Sequence, residues 1–427
     1  MWYDIGVKIF FAFFYVKERL LNMIQIAILG FGVVGSGTAE VIEENKALLT
    51  ARIGDEVNIK YILDLREFPE HPLGDRVVHD INIILNDPEV VLVAEMMGGS
   101  HPAYDFTVAA LKAGKSVVTS NKEVVANFGA ELLELAREHG VSYLFEASVG
   151  GGIPIIRPLQ TDLASNKILA VSGILNGTTN FILTKMIREG ADFADVLKEA
   201  QRLGYAEANP AADVEGLDAA RKITILAALS FGVLLDPNKI TTKGITGITA
   251  DHIAIAKAFS GAVKLIGHTE QLGGKTLALV MPFFVPAANP VSHVDDVFNG
   301  ILVDANMLGR ALFYGAGAGK LPTASAVVAD IIDILSNKTS ERKMPVWKVA
   351  TEADMASSAD YVCRRAYLVE GCVRCAEKAK AALKTEECVM LEGGRFAVVS
   401  APMSETEATA AFASTGLEAI VSLPVLD

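Results

Sequence analysis

The apolar run Ile24–Leu29 leads directly into Gly30-Phe31-Gly32-Val33-Val34-Gly35, and a helical segment follows to about Leu49. A buried strand, a G-x-G-x-x-G turn and a helix in that order constrain the fold more than any other stretch, because the helix must pack back on the strand that feeds it. The arrangement is the fingerprint of a dinucleotide site. Gly30 permits the tight turn, Gly32 lets the backbone approach a pyrophosphate, and Gly35 allows close strand–helix packing. The helix N-terminus, with its unpaired amides, then faces the anion.

Strands and helices continue to alternate. A second strand at about Val57–Leu63 ends at Asp64, whose carboxylate can accept hydrogen bonds from the ribose hydroxyls of NAD. Asp64 lies 29 residues beyond Gly35, against a usual spacing of roughly 20, which fits an elongated first helix and a loop around Gly54. Arg66 could instead meet a 2′-phosphate, so NAD and NADP both stay open, with the reading inclined to NAD. Val90–Glu95 before a helix from Ala103, Ser116–Thr119 before a helix from Lys122, and Ser142–Phe145 complete a Rossmann-type, doubly wound parallel sheet. Ligands in such sheets sit beyond the carboxyl ends of the strands. Gly98-Gly99 and Ser120-Asn121-Lys122 fall there. Lys122 is placed to reach the nicotinamide side, since a lysine in a helix's first turn is otherwise disfavoured by the dipole.

The second half carries the chemistry. Gly204 to Lys222 packs four carboxylates (Glu207, Asp213, Glu215, Asp218) and a lysine ahead of the apolar run Ile223–Phe231. Asp218 and Lys222 are four residues apart on one helix and share a face. Burial lowers a lysine's pKa and a neighbouring anion limits the fall, so such a lysine can be tuned for proton transfer. Asn176-Gly177-Thr178-Thr179-Asn180 follows a strand at Ile168–Leu175 and opens a helix; its amides and hydroxyls, those of Gly177 and Thr178 included, could hold a carboxylate, although an Asn cap is the common role. Between the two halves, Glu146-Ala147-Ser148-Val149-Gly150-Gly151-Gly152-Ile153-Pro154 reads as a glycine-rich connection to a helix near Pro154. In an extended path the carbonyls of Val149, Gly151 and Ile153 could point one way and bind a hard cation; a plain hinge is equally consistent. Gly315-Ala316-Gly317-Ala318-Gly319 precedes a helix to about Leu335, and Gly317 and Gly319 suggest close backbone approach to a ligand, covering the cofactor.

Composition excludes several classes. A net charge of −13 over 427 residues leaves no concentrated basic surface for nucleic acid. The aromatic-rich run Ile9–Val16 is too short to span a membrane and lacks a cleavage site; residues 1–22 read as an upstream extension, with Met23 the natural start. All four cysteines, Cys363, Cys372, Cys375 and Cys388, lie late in the chain. A thiol nucleophile, which oxidation of an aldehyde to an acyl phosphate would need, is therefore absent from the main body. Cys372-x-x-Cys375 has no second CxxC partner and reads as a pair of reduced structural thiols.

Taken in order, the glycine fingerprint, Thr119-Ser120-Asn121-Lys122, the Glu146–Pro154 loop, Asn176–Asn180, Gly204–Lys222 and Gly315–Gly319 resemble homoserine dehydrogenase over about residues 23–340. The resemblance implies NAD(P)-dependent interconversion of L-homoserine and L-aspartate 4-semialdehyde, in threonine, methionine and isoleucine biosynthesis. It implies Lys222 as proton donor, Asp218 and Glu207 as substrate carboxylates, and Lys122 as a second essential lysine; Tyr205 and Asp213 are counted with the substrate residues. It also implies a monovalent cation such as sodium at Glu146, Val149, Gly151 and Ile153, a cytoplasmic homodimer or homotetramer, and the monofunctional form.

The expected organisation is a nucleotide domain at 23–150, an α+β substrate and dimerisation domain at 151–320, a helix returning to the nucleotide domain at 321–340, and a C-terminal domain at 345–427. There the order strand (364–370), helix (376–383), strands (387–390 and 395–400), helix (404–412) and strand (418–423) looks like an ACT regulatory module. The usual acidic, Pro- and Gly-bearing turn is replaced by Glu370-Gly371-Cys372-Val373, so an amino-acid effector such as threonine and a purely structural role both stay open. A catalytically silent nucleotide sensor on the same fold is the alternative; it predicts decay at Lys122, Glu207, Asp218 and Lys222, all of which are present.

Overall fold

The computed structural model describes residues 22–337 and 345–427; nearly all of the N-terminal extension lies outside them. Six parallel strands form the first sheet: β1 (Met23–Leu29), β2 (Glu56–Leu63), β3 (Val77–Val78), β4 (Val90–Glu95), β5 (Ser116–Thr119) and β6 (Tyr143–Leu144). Their order is β3-β2-β1-β4-β5-β6, so the direction of winding reverses beside β1 and ligands belong at its carboxyl end. Ile26, Ala27, Ile28 and Leu29 are wholly buried, as a strand covered by helices on both faces requires.

The elongated first helix expected from sequence is two helices, Val33–Glu44 and Lys46–Ile53. The break is at Asn45, whose φ of −102° and ψ of 15° end one helix and cap the next. The added length before Asp64 is thus a second helix, closed by left-handed Gly54.

A second sheet joins β7 (Ile168–Ile174), β9 (Thr241–Thr242), β10 (Gly261–Leu272), β11 (Lys275–Pro286), β12 (Phe298–Ala305) and β13 (Gly309–Ala316) in the order β13-β12-β7-β10-β11-β9; β8 (Val233–Leu234) pairs separately with β14 (Lys348–Val349). The helix Leu217–Phe231 packs on β10 and β11 and also meets the helix Lys122–Glu138 of the nucleotide sheet. That contact brings Lys122 and Lys222 together. The helix Lys320–Ser336 then returns to pack against Val33–Glu44.

The C-terminal sheet comprises β15 (Arg365–Glu370), β16 (Cys388–Leu391), β17 (Arg395–Val399) and β18 (Ala419–Pro424), antiparallel in the order β16-β17-β15-β18. Helices Val373–Leu383 and Glu405–Ala413 complete the expected strand, helix, two strands, helix, strand series. Among the described residues no helix is long and apolar enough to cross a membrane.

Candidate active site

The glycine turn closes as its sequence requires. Gly30 has a φ of 85°, a left-handed conformation that favours glycine. A Cβ on Gly35 would collide with the Gly30 carbonyl, whereas one on Gly32 would meet nothing within 4 Å. The turn therefore packs tightly on the protein side and stands open where a phosphate would approach. Beside it runs a cleft of about 460 Å³ whose walls include Gly30, Gly32, Asp64, Arg66, Met97 and Gly98. The residues present fit a dinucleotide.

Asp64 accepts from the Phe31 amide at 2.7 Å and from Arg66, whose Nε and Nη2 each lie 3.0 Å from its oxygens. The Arg66 guanidinium holds this carboxyl down at about 2. The Phe31 ring turns into the protein, edge-on to Phe68 and His71. Val33 is largely exposed at the start of the helix and Val34 is half-buried.

At the carboxyl end of β4 stands a group that sequence reasoning missed. Glu95 is completely buried. It accepts from Thr119 Oγ1 at 2.5 Å, the Met97 amide at 2.7 Å and Asn121 Nδ2 at 3.5 Å, while its carbonyl takes the Ser120 amide at 3.3 Å. Asn121 caps the helix that begins with Lys122 and also donates to Gly99 O at 2.8 Å. Glu95 thus ties the cleft-lining loop to the base of Lys122.

Burial pushes the Glu95 carboxyl up to about 7, against the hydrogen bonds from Thr119, Met97 and Asn121. Asp330, buried beside Glu146, is also raised to about 7, its bond to the Glu146 amide and the charge of Arg157 opposing the rise. A carboxyl whose folded pKa exceeds its unfolded value adds stability that is full below the unfolded value and lost as pH climbs through the folded one. Both groups should make the fold less stable from about pH 4.5 to about pH 7. Asp218, held low, adds no slope there. Glu95→Gln should therefore flatten the pH dependence of the urea midpoint between pH 5 and 7; an unchanged slope would mean that Glu95 ionises normally.

Lys222 and Asp218 lie in the first two turns of the helix Leu217–Phe231 and are only 7% and 4% exposed. Lys222 Nζ donates to Leu175 O at 2.7 Å and to Asp218 Oδ2 at 2.8 Å. An ammonium has three N–H groups, so one remains for another acceptor. Lys122 Nζ approaches the other Asp218 oxygen at 2.6 Å from the nucleotide side. A carboxylate between two lysines is well below its usual pKa: burial opposes ionisation, and the charges of Lys222 and Lys122 overcome it.

The two lysines are driven apart. Burial lowers the pKa of Lys222, with Asp218 opposing and Lys122 assisting the fall. Burial pulls on Lys122 too, but the charge and hydrogen bond of Asp218 leave it raised. Paired groups pushed in opposite directions are the usual mark of an acid–base centre.

Asn176, legible in the sequence as a helix cap, has a second role that sequence reasoning missed. Its Oδ1 caps the helix Gly177–Glu189 through Thr179 N at 2.9 Å, while its Nδ2 donates to Asp213 at 2.7 Å and Asp218 at 3.0 Å. Burial raises the Asp213 pKa, with the Asn176 bond opposing. Thr178 Oγ1 holds the Tyr205 carbonyl at 2.7 Å, so this helix start anchors the Gly204 loop. A Cβ on Gly177 would press on the Val297 carbonyl. Buried Lys264 fixes that neighbouring loop through Val294 O at 2.6 Å and Asp295 at 3.1 Å. Glu207 stands exposed on the Gly204 loop, and its carboxylate makes no hydrogen bond or ion pair among the described residues.

Residues 30–146 match the family model for the NAD-binding domain of homoserine dehydrogenase, and residues 154–332 match the model for homoserine dehydrogenase itself. The homoserine dehydrogenase of Bacillus subtilis is 43% identical over 320 residues, 74% of each chain. The chain belongs to the homoserine dehydrogenase family.

The Synechocystis homoserine dehydrogenase is likewise 43% identical over 329 residues, 75% of this chain and 76% of its own. In three dimensions the Thiobacillus denitrificans homoserine dehydrogenase matches 95% of this chain and 99% of its own with a TM-score of 0.85 at 32% identity. A hyperthermophilic archaeal homoserine dehydrogenase in complex with NADPH matches 73% of this chain and 98% of its own, with a TM-score of 0.63 at 29% identity. This chain is thus an NAD(P)-dependent oxidoreductase acting on the CH–OH group of homoserine, and nothing in these likenesses favours a silent sensor.

The remaining expected residues lie in two touching loops. Glu146 does not present its carboxylate to solvent. Its oxygens accept the amides of Ile155, Ile156 and Arg157 at 2.7 to 2.8 Å, capping the helix Ile156–Gln160 rather than one starting near Pro154. The carbonyls of Val149, Gly151 and Ile153 accept no hydrogen bond among the described residues, although all three residues are buried. Gly317 is pressed between Gly151 and the Asn299 amide, and Gly319 opens the helix Lys320–Ser336.

Proposed function

We propose that Lys222 moves the proton, that Asp218 holds both lysines in place, and that Lys122 stays charged at the junction of cofactor and substrate. The observation that carries this reading is the single buried carboxylate bridging two lysines of opposite pKa direction. Bound in the cleft, a nicotinamide dinucleotide supplies or accepts the hydride. As homoserine is oxidised, the lowered Lys222 accepts the hydroxyl proton; in the reverse direction its ammonium protonates the oxygen as the alkoxide forms. Glu207, unpaired and exposed, is suited to the substrate ammonium, with Asp213 and Asp218 adding negative charge. The Gly177–Glu189 helix start, with Thr178 and Tyr205 beside it, suits the substrate carboxylate.

NAD is the favoured cofactor on this reading. Arg66 is already paired with Asp64, so a 2′-phosphate would meet an adjacent carboxylate and compete for a guanidinium that is already engaged. The carbonyls of Val149, Gly151 and Ile153, unpaired among the described residues, are suited as oxygen donors for a monovalent cation, with Glu146 the fourth position expected beside them. The test is L-homoserine-dependent reduction of NAD and NADP side by side, at saturating homoserine, in sodium chloride and in choline chloride. A higher kcat/KM with NAD than with NADP, which Asp64→Ala lowers, is expected, as is lower turnover in choline. Preference for NADP that Arg66→Ala removes would transfer the ribose-reading role to Arg66, and equal rates in both salts would remove the cation.

A further inference from the structure

Two thiols in the C-terminal domain take no part in the chemistry above. Cys372 is the N-cap of the helix Val373–Leu383, and Cys375 sits three residues on in its first turn. At this helix start the two Sγ atoms lie 3.5 Å apart. The turn is fixed: Cys375 N and Ala376 N donate to Cys372 O at 2.8 and 3.0 Å, and Gly371 N donates to Gly394 O at 2.8 Å. A Cβ on Gly371 would lie 2.7 Å from Cys375 Cβ and 3.1 Å from the Phe396 ring, so the thiols stand against a packed wall.

Exposure distinguishes Cys372 from the other cysteines. Cys372 is exposed, Cys375 and Cys388 are partly so, and Cys363 is buried. The Cys375 amide, the Cys375 thiol and the Arg374 amide hold the Cys372 thiol below its ordinary pKa. Burial pushes Cys363 up to about 11 and also raises Cys388. An exposed thiol favoured as thiolate, with a second thiol in reach, is an attacking and resolving pair.

We propose that Cys372 and Cys375 form a redox-active dithiol that exchanges with low-molecular-weight disulfides. The Cys372 thiolate attacks one sulfur of RSSR, breaking its S–S bond and releasing RS⁻. Cys375 then gives its proton to solvent and attacks Cys372 Sγ, releasing the second RS⁻. The dithiol loses two electrons and two protons; RSSR gains both and becomes two RSH. The Sγ atoms need close by only about 1.5 Å to reach bonding distance.

The test uses the full chain equilibrated with oxidised glutathione, acid-quenched, alkylated and mapped by mass spectrometry. Free thiols should fall from the four of the sequence to two per chain, with one peptide carrying a Cys372–Cys375 bond. Cys375→Ser should instead accumulate glutathione on Cys372, and homoserine oxidation by this variant should match the parent. Four alkylatable thiols in the wild-type chain, or glutathione appearing on Cys388 as fast as on Cys372, would overturn the proposal, and the wild-type count decides even where a variant fails to fold.

Discussion

Replacing Lys222 with methionine is expected to lower kcat for homoserine oxidation by roughly 10²- to 10⁴-fold, the range that a positioned acid–base group supplies. Methionine keeps an unbranched apolar stem in the buried channel and removes only the charge and its donors. Asp218 would retain Lys122 at 2.6 Å and Asn176 Nδ2 at 3.0 Å, so its charge would not be stranded. Leu175 O would lose its donor, at a cost of about 1–3 kcal/mol for an unsatisfied buried acceptor. Dinucleotide binding, measured by fluorescence titration, should be nearly unchanged. Turnover equal to the parent would remove Lys222 from the mechanism. Loss of turnover together with cofactor binding would point instead to collapse of the interface between the two sheets.

This arrangement was partly legible in the sequence. Asp218 and Lys222 share one helix, so their spacing alone puts them on one face, and the structure joins them at 2.8 Å. Lys122 is different. It reaches Asp218 only because the helices Lys122–Glu138 and Leu217–Phe231 pack together, a contact between segments far apart in the chain that no local pattern encodes. Asn176 was visible as a helix cap, because capping uses one side-chain oxygen and the next few amides. Its second use was hidden: the same amide has a nitrogen to spare, and what that nitrogen meets depends on tertiary packing.

Glu95 illustrates a further limit. At the end of an apolar strand a lone carboxylate resembles the polar residue that ends many strands, and its burial with Thr119, Met97 and Asn121 follows from the sheet order β1-β4-β5. The split of the first helix was hidden because Glu43-Glu44-Asn45-Lys46 contains neither glycine nor proline, and the break is only a local change of backbone angle at Asn45. In the C-terminal domain the helix begins at Val373, ahead of the expected 376, with Cys372 at the N-cap position; cysteine is not a preferred N-cap residue, so no cap signal marked the start.

A pair of substitutions in the glycine turn should separate cofactor contact from fold integrity. Gly32 has a φ of −79°, which any residue adopts, and a Cβ there would meet nothing within 4 Å. Gly32→Ala should therefore leave thermal stability unchanged. The added methyl would nevertheless stand where the backbone must approach the pyrophosphate, so dinucleotide affinity should fall by about tenfold or more, equivalent to about 1.4 kcal/mol. Gly35 faces the other way. A Cβ there would run into the Gly30 carbonyl, and neither partner is a flexible side chain that can turn aside. Gly35→Ala should lower stability by about 1–3 kcal/mol or more, the cost of overpacking, and should lose cofactor binding with it. Calorimetry and cofactor titration on both variants distinguish the cases. Wild-type affinity in Gly32→Ala, for NAD and NADP alike, would mean that the phosphates do not lie over this turn, and the cofactor would have to be placed elsewhere along the carboxyl ends of β1 and β4.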